Sequence, residues 1–404
     1  MRSRIPKALH TLGGRPMVES LIARAREAGA SRIFVVVGHG LAEVRKALSK
    51  DVTLIHQEER LGSGHAVHVA EKSLSSVTGS LLVLYCDTPL LKKETLKALI
   101  KNHRDGKTDA TLLSAEMEDP SGYGRVILKR GRFVEKIVEH NDASLDEKKI
   151  REINVGCYVF DKRKLFTALK QVKQNPTKKE YYLTDAVGIL AESGAVEALK
   201  AADTQETYGV NDLVELARAE EILRQRVLTG WMERGVRIRD PKTTSIDSNV
   251  QLGQDTVILP HTLIEEGSVI GESCVIGPFA RIRGGSQIGD RVVIGNFVEI
   301  VRSEIGRGTQ IKHLSYIGDA RIGEEVNVGA GTVTANYDGK NKHRTVIGDR
   351  AQIGSGTIFV APVIVGRGAK TGAGSVVTKG TKMKDQSVYV GVPAKELERG
   401  KKKK

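Results

Sequence analysis

The sequence predicts two domains of unlike architecture, an α/β Rossmann-like domain followed by a parallel β-helix of hexapeptide repeats, and three observations lead there. Ten aliphatic residues stand six apart, Ile246, Leu252, Ile258, Ile264, Ile270, Ile276, Ile282, Ile288, Ile294 and Ile300, with glycine after several of them, as at Gly253, Gly271, Gly277, Gly289 and Gly295. A period of six suits neither a helix nor an alternating strand. It suits a coil that lays down a short strand, turns a corner and points one aliphatic side chain inward per face. Ahead of the repeat, short apolar runs alternate with helical patterns, which reads as βαβ units on a mostly parallel sheet. Aromatics are only 4% of the chain and glycines number 43, as a core of stacked Ile and Val would have it. A chain of 404 residues also exceeds one ordinary core.

In chain order, residues 33–37, 52–55 and 81–85 read as strands, with helical patterns at 41–48, 66–71 and 94–100 between and after them. Residues 110–114, 125–128, 134–138 and 155–160 read as further strands and 183–191 as a helix. Asp212 caps a helical pattern, carrying Leu213, Leu216, Ala217, Ile222, Leu223, Val227 and Trp231, that runs to about Arg234 and is broken off by Asp240-Pro241. The hexads begin at Ile246, shorten by one residue at Glu304 and Arg321, and resume through Ile305, Ile311, Ile317, Ile322, Val328, Ile347, Ile353, Phe359 and Val365. The expected division is residues 1–210 for the α/β domain, 211–239 for a linker helix, 240–391 for the β-helix and 392–404 for a basic tail.

Net charge is +14, yet no basic stripe is interleaved with aromatics, so nucleic acid is not an expected partner and anionic small substrates are. Cys86, Cys157 and Cys274 are isolated and odd in number, which argues against a disulfide framework and a zinc site and for a reducing cytoplasm. The start has no apolar signal core and no segment nears the ~20 apolar residues of a membrane span, so a soluble protein without a membrane partner is expected.

Ligands of open α/β sheets collect beyond the carboxyl ends of strands. Asp87, just past the run 81–85, would hold a hard cation against phosphates there, or would equally serve as a turn or N-cap residue ahead of Pro89. Gln57, followed by Leu61-Gly62-Ser63-Gly64-His65-Ala66, marks a Gly-rich turn opening a helix, whose N–H groups can meet an anion or a base edge. In the repeat, His313 would act as a general base toward an amine, or would be a corner residue bonded to the neighbouring coil.

Taken together, the motifs are specific: Pro6-Lys7-Ala8-Leu9-His10, the Gln57 segment, Tyr85-Cys86-Asp87, Gly122-Tyr123-Gly124-Arg125, Val138-Glu139-His140, Ile153-Asn154-Val155-Gly156, Glu180-Tyr181-Tyr182-Leu183-Thr184-Asp185 and Gly209-Val210-Asn211. In order and spacing they resemble the bacterial bifunctional UDP-N-acetylglucosamine pyrophosphorylase and glucosamine-1-phosphate N-acetyltransferase family, over almost the whole chain. The stretches 313–320, 327–332 and 336–339 resemble its acetyltransferase site.

The resemblance implies a nucleotidyltransferase domain, a left-handed β-helix, Mg2+, and UTP and acetyl-CoA as co-substrates. It implies that Lys7 contacts phosphate, that Gln57, Gly62 and Ser63 hold the uracil nucleotide, and that Asp87 and Asn211 ligate the magnesium. Gly124, Glu139 and Asn154 would receive N-acetylglucosamine 1-phosphate, and His313 would be the catalytic base of acetyl transfer. Arg283, Tyr316, Asn327 and Lys342 would bind the acetyl acceptor, and Ala330, Asn336, Tyr337, Ser355 and Ala373 the acetyl-CoA, with Asn336 also orienting the amine. It further implies a homotrimer with active sites at subunit contacts, and a cytoplasmic location.

The chain departs from the family pattern in places. Met1 aligns with the end of the family's Gly-rich phosphate loop, so the first strand and that loop are missing. The expectations are unpaired ladder groups, a gap in the core and little UDP-sugar synthesis by the 404-residue form, unless the start lies upstream. Val301 stands where the family has a phosphate-binding lysine, and Gly284 where it has proline. The solenoid before Arg283 is about two coils short, and Gly391-Val392-Pro393-Ala394 looks more like other hexapeptide acyltransferases. Two other readings stay open: a sugar-1-phosphate nucleotidylyltransferase with a non-catalytic β-helix, and a catalytically silent scaffold.

Overall fold

The computed structural model describes residues 1–397. The chain divides into two compact units, Met1–Glu220 and the part from Glu221 onward.

The first unit opens with a hairpin of β1 (Thr11–Leu12) and β2 (Arg15–Pro16) turning on Gly13 and Gly14, both at positive φ. There follow α1 (Met17–Glu27), β3 (Phe34–Val37), α2 (Leu41–Ala47), β4 (Thr53–His56), α3 (Ser63–His68), β5 (Ser80–Leu84) and α4 (Lys93–Gly106). Then come β6 (Ala110–Glu116), β7 (Arg125–Arg130), β8 (Phe133–Val138), β9 (Glu152–Asp161), α5 (Lys162–Leu169), α6 (Leu183–Ser193) and β10 (Val196–Lys200). β3 and β4 form a parallel pair, and the other six strands form a sheet of order β5-β9-β6-β10-β8-β7.

The mostly parallel sheet expected from the alternation is not what forms. Among the described residues the parallel neighbours of the six-stranded sheet are β6 and β10 alone, and β9 is antiparallel to both β5 and β6. The reason lies between β7 and β8, which fold back on each other at Gly131, where φ is 57°. β9 then enters the sheet without the long crossover that a parallel neighbour requires. β6 is covered on both sides: Leu112 packs with Leu165, Leu183 and Val187 of α5 and α6, and Leu113 with Leu96 and Leu99 of α4.

β5 bonds to β9 alone and β3 to β4 alone, so among the described residues no strand joins the two sheets. Leu81, Leu82, Val83 and Leu84 of β5 and Phe34, Val35 and Val36 of β3 are only half-buried, whereas the first six residues of β6 are buried. Amides of β5 should therefore exchange with solvent at least ~10-fold faster than those of β6, measured by native-state hydrogen exchange. Equal protection of the two strands would show that the free edge is covered.

The second unit begins inside α7 (Leu213–Glu233), whose Leu228 and Trp231 pack on the core of the repeat. Strands of two to four residues form three mainly parallel sheets, the faces of a triangular prism. Successive coils repeat every 18 residues, as from Thr256 to Cys274. The coil joining Asn296 to His313 takes 17, and the one joining Glu324 to Asp349 takes 25 because it carries the loop after Asn336. The sequence-level slips at Glu304 and Arg321 are these shorter coils. Every inward aliphatic from Ile246 to Ile300 is buried, and Phe359 occupies one such position with no exposure. Burying each Ile or Val contributes about 1.5–3 kcal/mol, so the column outweighs the meagre hydrogen bonding of two-residue strands.

Candidate functional site

In the first unit, residues from both ends of its sequence converge past β5. Lys7 lies in a short turn after Pro6, and its Nζ donates to Asp87 Oδ2 at 3.0 Å and to Asn211 Oδ1 at 2.9 Å. The backbone fixes the pair of acceptors, because Val210 N–H donates to the Asp87 carbonyl at 2.8 Å. Two hard oxygen donors aimed at one positive charge suit a divalent cation of the magnesium kind, with the ammonium as its stand-in.

Gln57 is buried at the end of β4, where its Nε2 donates to the Gly62 carbonyl at 3.1 Å. Gly62, at φ 96°, stands just before α3, and a Cβ there would lie 2.7 Å from the Tyr181 carbonyl oxygen. Gly64 N–H donates to that carbonyl at 2.8 Å, and Leu183 N–H donates to Ser63 Oγ at 3.1 Å. Hence α3 starts at Ser63, three residues before the position expected from hydrophobic pattern.

Gly124, Glu139 and Asn154 also come together. A Cβ on Gly124 would stand 3.6 Å from Glu139 Oε2 and 3.7 Å from Asn154 Cβ, and Asn154 N–H donates to the Gly124 carbonyl at 2.9 Å. Two tyrosines to which the sequence reading gave no role, Tyr158 and Tyr85, stand beside this cluster. Asn154 Nδ2 donates to Tyr158 Oη at 2.7 Å, and the Tyr158 and Tyr85 rings meet edge to face with centroids 6.0 Å apart. Burial pushes the Tyr85 hydroxyl up to about 12, so it stays protonated and available as a donor.

Burial likewise holds the Glu139 carboxyl above its ordinary value, against the lowering effect of the Thr184 hydroxyl that donates to it at 2.9 Å. A carboxyl with a raised folded-state pKa leaves stability intact below the unfolded-state value and loses it as pH rises toward the folded-state value. Glu139→Gln should therefore raise the unfolding temperature of this unit at pH 7, and the gain should vanish below about pH 4. Thermal unfolding at both pH values checks it.

In the repeat, His313 is exposed beside a corner, at the end of strand Gln310–His313 on the ten-stranded face. Three later coils bring glycines around that edge, Gly329-Ala330-Gly331, Gly354-Ser355-Gly356 and Gly372-Ala373-Gly374, stacked in register. A Cβ at Gly329 would sit 2.5 Å from the Ser355 nitrogen and one at Gly354 2.6 Å from the Gly372 carbonyl carbon, so no larger residue fits the first position. The edge leading away from His313 is thereby nearly bare of side chains.

Tyr316 lies on the next face, and its hydroxyl and the Asn336 amide both overhang Gly318. A Cβ there would be 2.6 Å from Tyr316 Oη and 2.8 Å from Asn336 Nδ2. Asn336 Nδ2 also donates to Asp319 Oδ2, whose carboxyl is held low chiefly by Arg302, and then by Asn336. Arg302, at φ 46°, gives two nitrogens to Asp319, each at 2.7 Å, so it does not replace the absent lysine next door. Val301 itself is buried opposite Gly318.

Arg283 faces Glu265 at 3.9 Å and Glu299 at 3.5 Å. Asn327 is exposed on the ten-stranded face, in register with Gln352. Lys342 and Tyr337 bridge the loop after Asn336, which Asp338 organises by accepting from Asn341 N–H at 2.8 Å and the His343 ring at 2.6 Å. Within one chain, then, the expected acetyl-transfer residues are spread along two faces and two edges of the prism.

Comparisons with known proteins find likeness in both units. Residues 1–185 match the MobA-like NTP transferase domain model, and residues 267–302 and 344–379 match the bacterial transferase hexapeptide model, the repeat of left-handed parallel β-helices. A solved UDP-glucose pyrophosphorylase in complex with UDP-glucose covers 55% of the chain at 16% identity and a TM-score of 0.46. The bifunctional protein GlmU of Shouchella clausii is 44% identical, with 94% of this chain and 91% of that one covered. That of Caldanaerobacter subterraneus is 42% identical over 94% and 90%. Likeness at that level across both units leaves one conclusion: the chain belongs to the bifunctional GlmU family.

Proposed function

We propose that the second unit acetylates glucosamine 1-phosphate and that the first joins the product to the uridylyl group of UTP. The enzyme is an N-acetyltransferase and a uridylyltransferase, and it makes UDP-N-acetylglucosamine. The observation that carries the residue-level account is the meeting of Lys7, Asp87 and Asn211 across 204 residues of sequence.

In acetyl transfer the free amine attacks the thioester carbonyl of acetyl-CoA. The C–N bond forms, the C–S bond breaks, and the coenzyme leaves as thiolate with the bonding pair. His313 takes the amine proton at Nε2 and passes it to the departing sulfur. Tyr316, Asn327, Arg283 and Lys342 hold the amino sugar phosphate, and Asn336 orients the amine. The bare edge beside Ala330, Ser355 and Ala373 suits an extended pantetheine arm, with Tyr337 closing over it. Because these groups are spread over the prism, the site is completed by further copies of the chain, and a homotrimer is the assembly we infer.

In uridylyl transfer an oxygen of N-acetylglucosamine 1-phosphate attacks the α-phosphorus of UTP and pyrophosphate leaves. Gln57, Gly62 and Ser63 hold the nucleotide, and Gly124, Glu139 and Asn154 the sugar. Asp87 and Asn211 would hold the magnesium ion, which when bound neutralises charge on the phosphoryl oxygens. Lys7 neutralises the phosphates from the protein side. Three cysteines outside any disulfide favour a cytoplasmic setting. Among the described residues no helix is long and apolar enough to cross a membrane.

Two assays test the account: thiol release from acetyl-CoA with glucosamine 1-phosphate, and UTP-dependent pyrophosphate release with N-acetylglucosamine 1-phosphate. Absence of the first would refute the role given to the repeat. Val301→Lys should lower the KM for glucosamine 1-phosphate several-fold if the acceptor phosphate lies near Arg283, and an unchanged KM would refute that pose.

A further inference from the structure

If one ring nitrogen of His313 serves acyl transfer, the other has a partner on the neighbouring coil, the bond that the corner-residue reading of this histidine expected. Strand Val293–Asn296 lies one coil earlier, in parallel register, with Asn296 opposite His313. Asn296 Oδ1 is 2.9 Å from His313 Nδ1. The two positions are held together by the backbone, since Leu314 N–H donates to the Asn296 carbonyl at 2.9 Å. The coils touch closely here: a Cβ on Gly295 would overlap the Lys312 carbonyl, at 1.8 Å. Phe297, which follows Asn296 at the corner, is stacked on Phe279 with ring centroids 5.2 Å apart, so the corner cannot swing freely.

The same column of the prism explains why Asn296 matters. Read coil by coil it runs Pro278, Asn296, His313, Ala330. Alanine on the far side of His313 offers the ring no polar atom. Asn296 is therefore the side chain in this column that can fix the ring.

We propose that Asn296 is a positioning residue for acetyl transfer. Its carbonyl oxygen accepts the Nδ1 proton, which fixes the neutral tautomer with the lone pair on Nε2 and fixes the plane of the ring. The opposite amide orientation would donate to Nδ1 and leave the proton on Nε2, where the ring could not accept one from the substrate amine. During the step described above, Nε2 gains a proton and the imidazolium Nδ1–H still has its acceptor. The cation is thus stabilised without Asn296 ionising. The inference rests on His313 being the base, and the experiment separates the two claims.

The full-length protein is prepared as Asn296→Leu, which removes the acceptor at similar volume, and as Asn296→Asp, which keeps an oxygen in place. With acetyl-CoA and glucosamine 1-phosphate, Asn296→Leu should lower kcat ~10- to 100-fold with both KM values changed little, and Asn296→Asp should recover most of that loss. In protein labelled with 15N-histidine, the resonance that vanishes in His313→Ala should report a protonated Nδ1 in the parent and a protonated Nε2 in Asn296→Leu. Unchanged kcat and tautomer in Asn296→Leu overturn the proposal. So does equal loss in the Leu and Asp variants, which would signify a packing role. Full activity in His313→Ala overturns the reading of the base itself.

Discussion

His313→Ala is expected to lower kcat for acetyl transfer by about 10²- to 10⁴-fold, the span that a positioned general base contributes. The readout is thiol release from acetyl-CoA in the presence of glucosamine 1-phosphate. The side chain is exposed and lies outside the aliphatic column, so the substitution should leave the β-helix folded. Thermal unfolding of the second unit serves as the internal control and should not change. A variant retaining parent-like acetyl transfer would remove His313 from the mechanism and leave the glycine-lined edge without a chemical purpose.

The second large effect is expected at Asp87. Asp87→Ala removes the carboxylate that meets Lys7 and should reduce UTP-dependent pyrophosphate release by about 10²- to 10³-fold, while acetyl transfer continues. Both side chains of the Lys7–Asp87 pair keep about a third of their surface open to solvent, so the pair itself adds little stability. Loss of activity would then report on chemistry and not on unfolding. Raising the magnesium concentration should restore little of the rate, because the remaining oxygen of Asn211 cannot hold the ion alone.

Much of this molecule was legible in its sequence, for physical reasons that differ between the units. A period of six leaves little choice of fold, since only a coil with one inward residue per face buries every Ile in it. Even the shortened coils showed, because each slip moves the column by one residue. Strand direction leaves no such trace: the apolar run around residues 155–160 looks the same whether β9 runs with β6 or against it. β10 went unread because Val-Glu-Ala-Leu-Lys has the composition of a helix, and its pairing with β6 decides the matter. α1 begins at Met17 behind Pro16 with no capping side chain to announce it.

At the site, residues within the motifs could be picked out, but their supports could not. Asp319 and Arg302 meet only because the coil between them is 17 residues long, and Tyr85 and Tyr158 meet only through the antiparallel pairing of β5 with β9. The Lys7 contacts join segments 80 and 204 residues away. Periodicity records faces, and such meetings depend on topology.

The ammonium seated between Asp87 and Asn211 has a consequence for the order of loading. A divalent ion that binds there must first evict Lys7, so the bare pocket should take it weakly. On the proposed reading, a triphosphate would draw the same ammonium toward itself and leave the two oxygens of Asp87 and Asn211 open to an ion. Each guest would then lower the threshold for the other, and by thermodynamic reciprocity the enhancement would be equal in both directions.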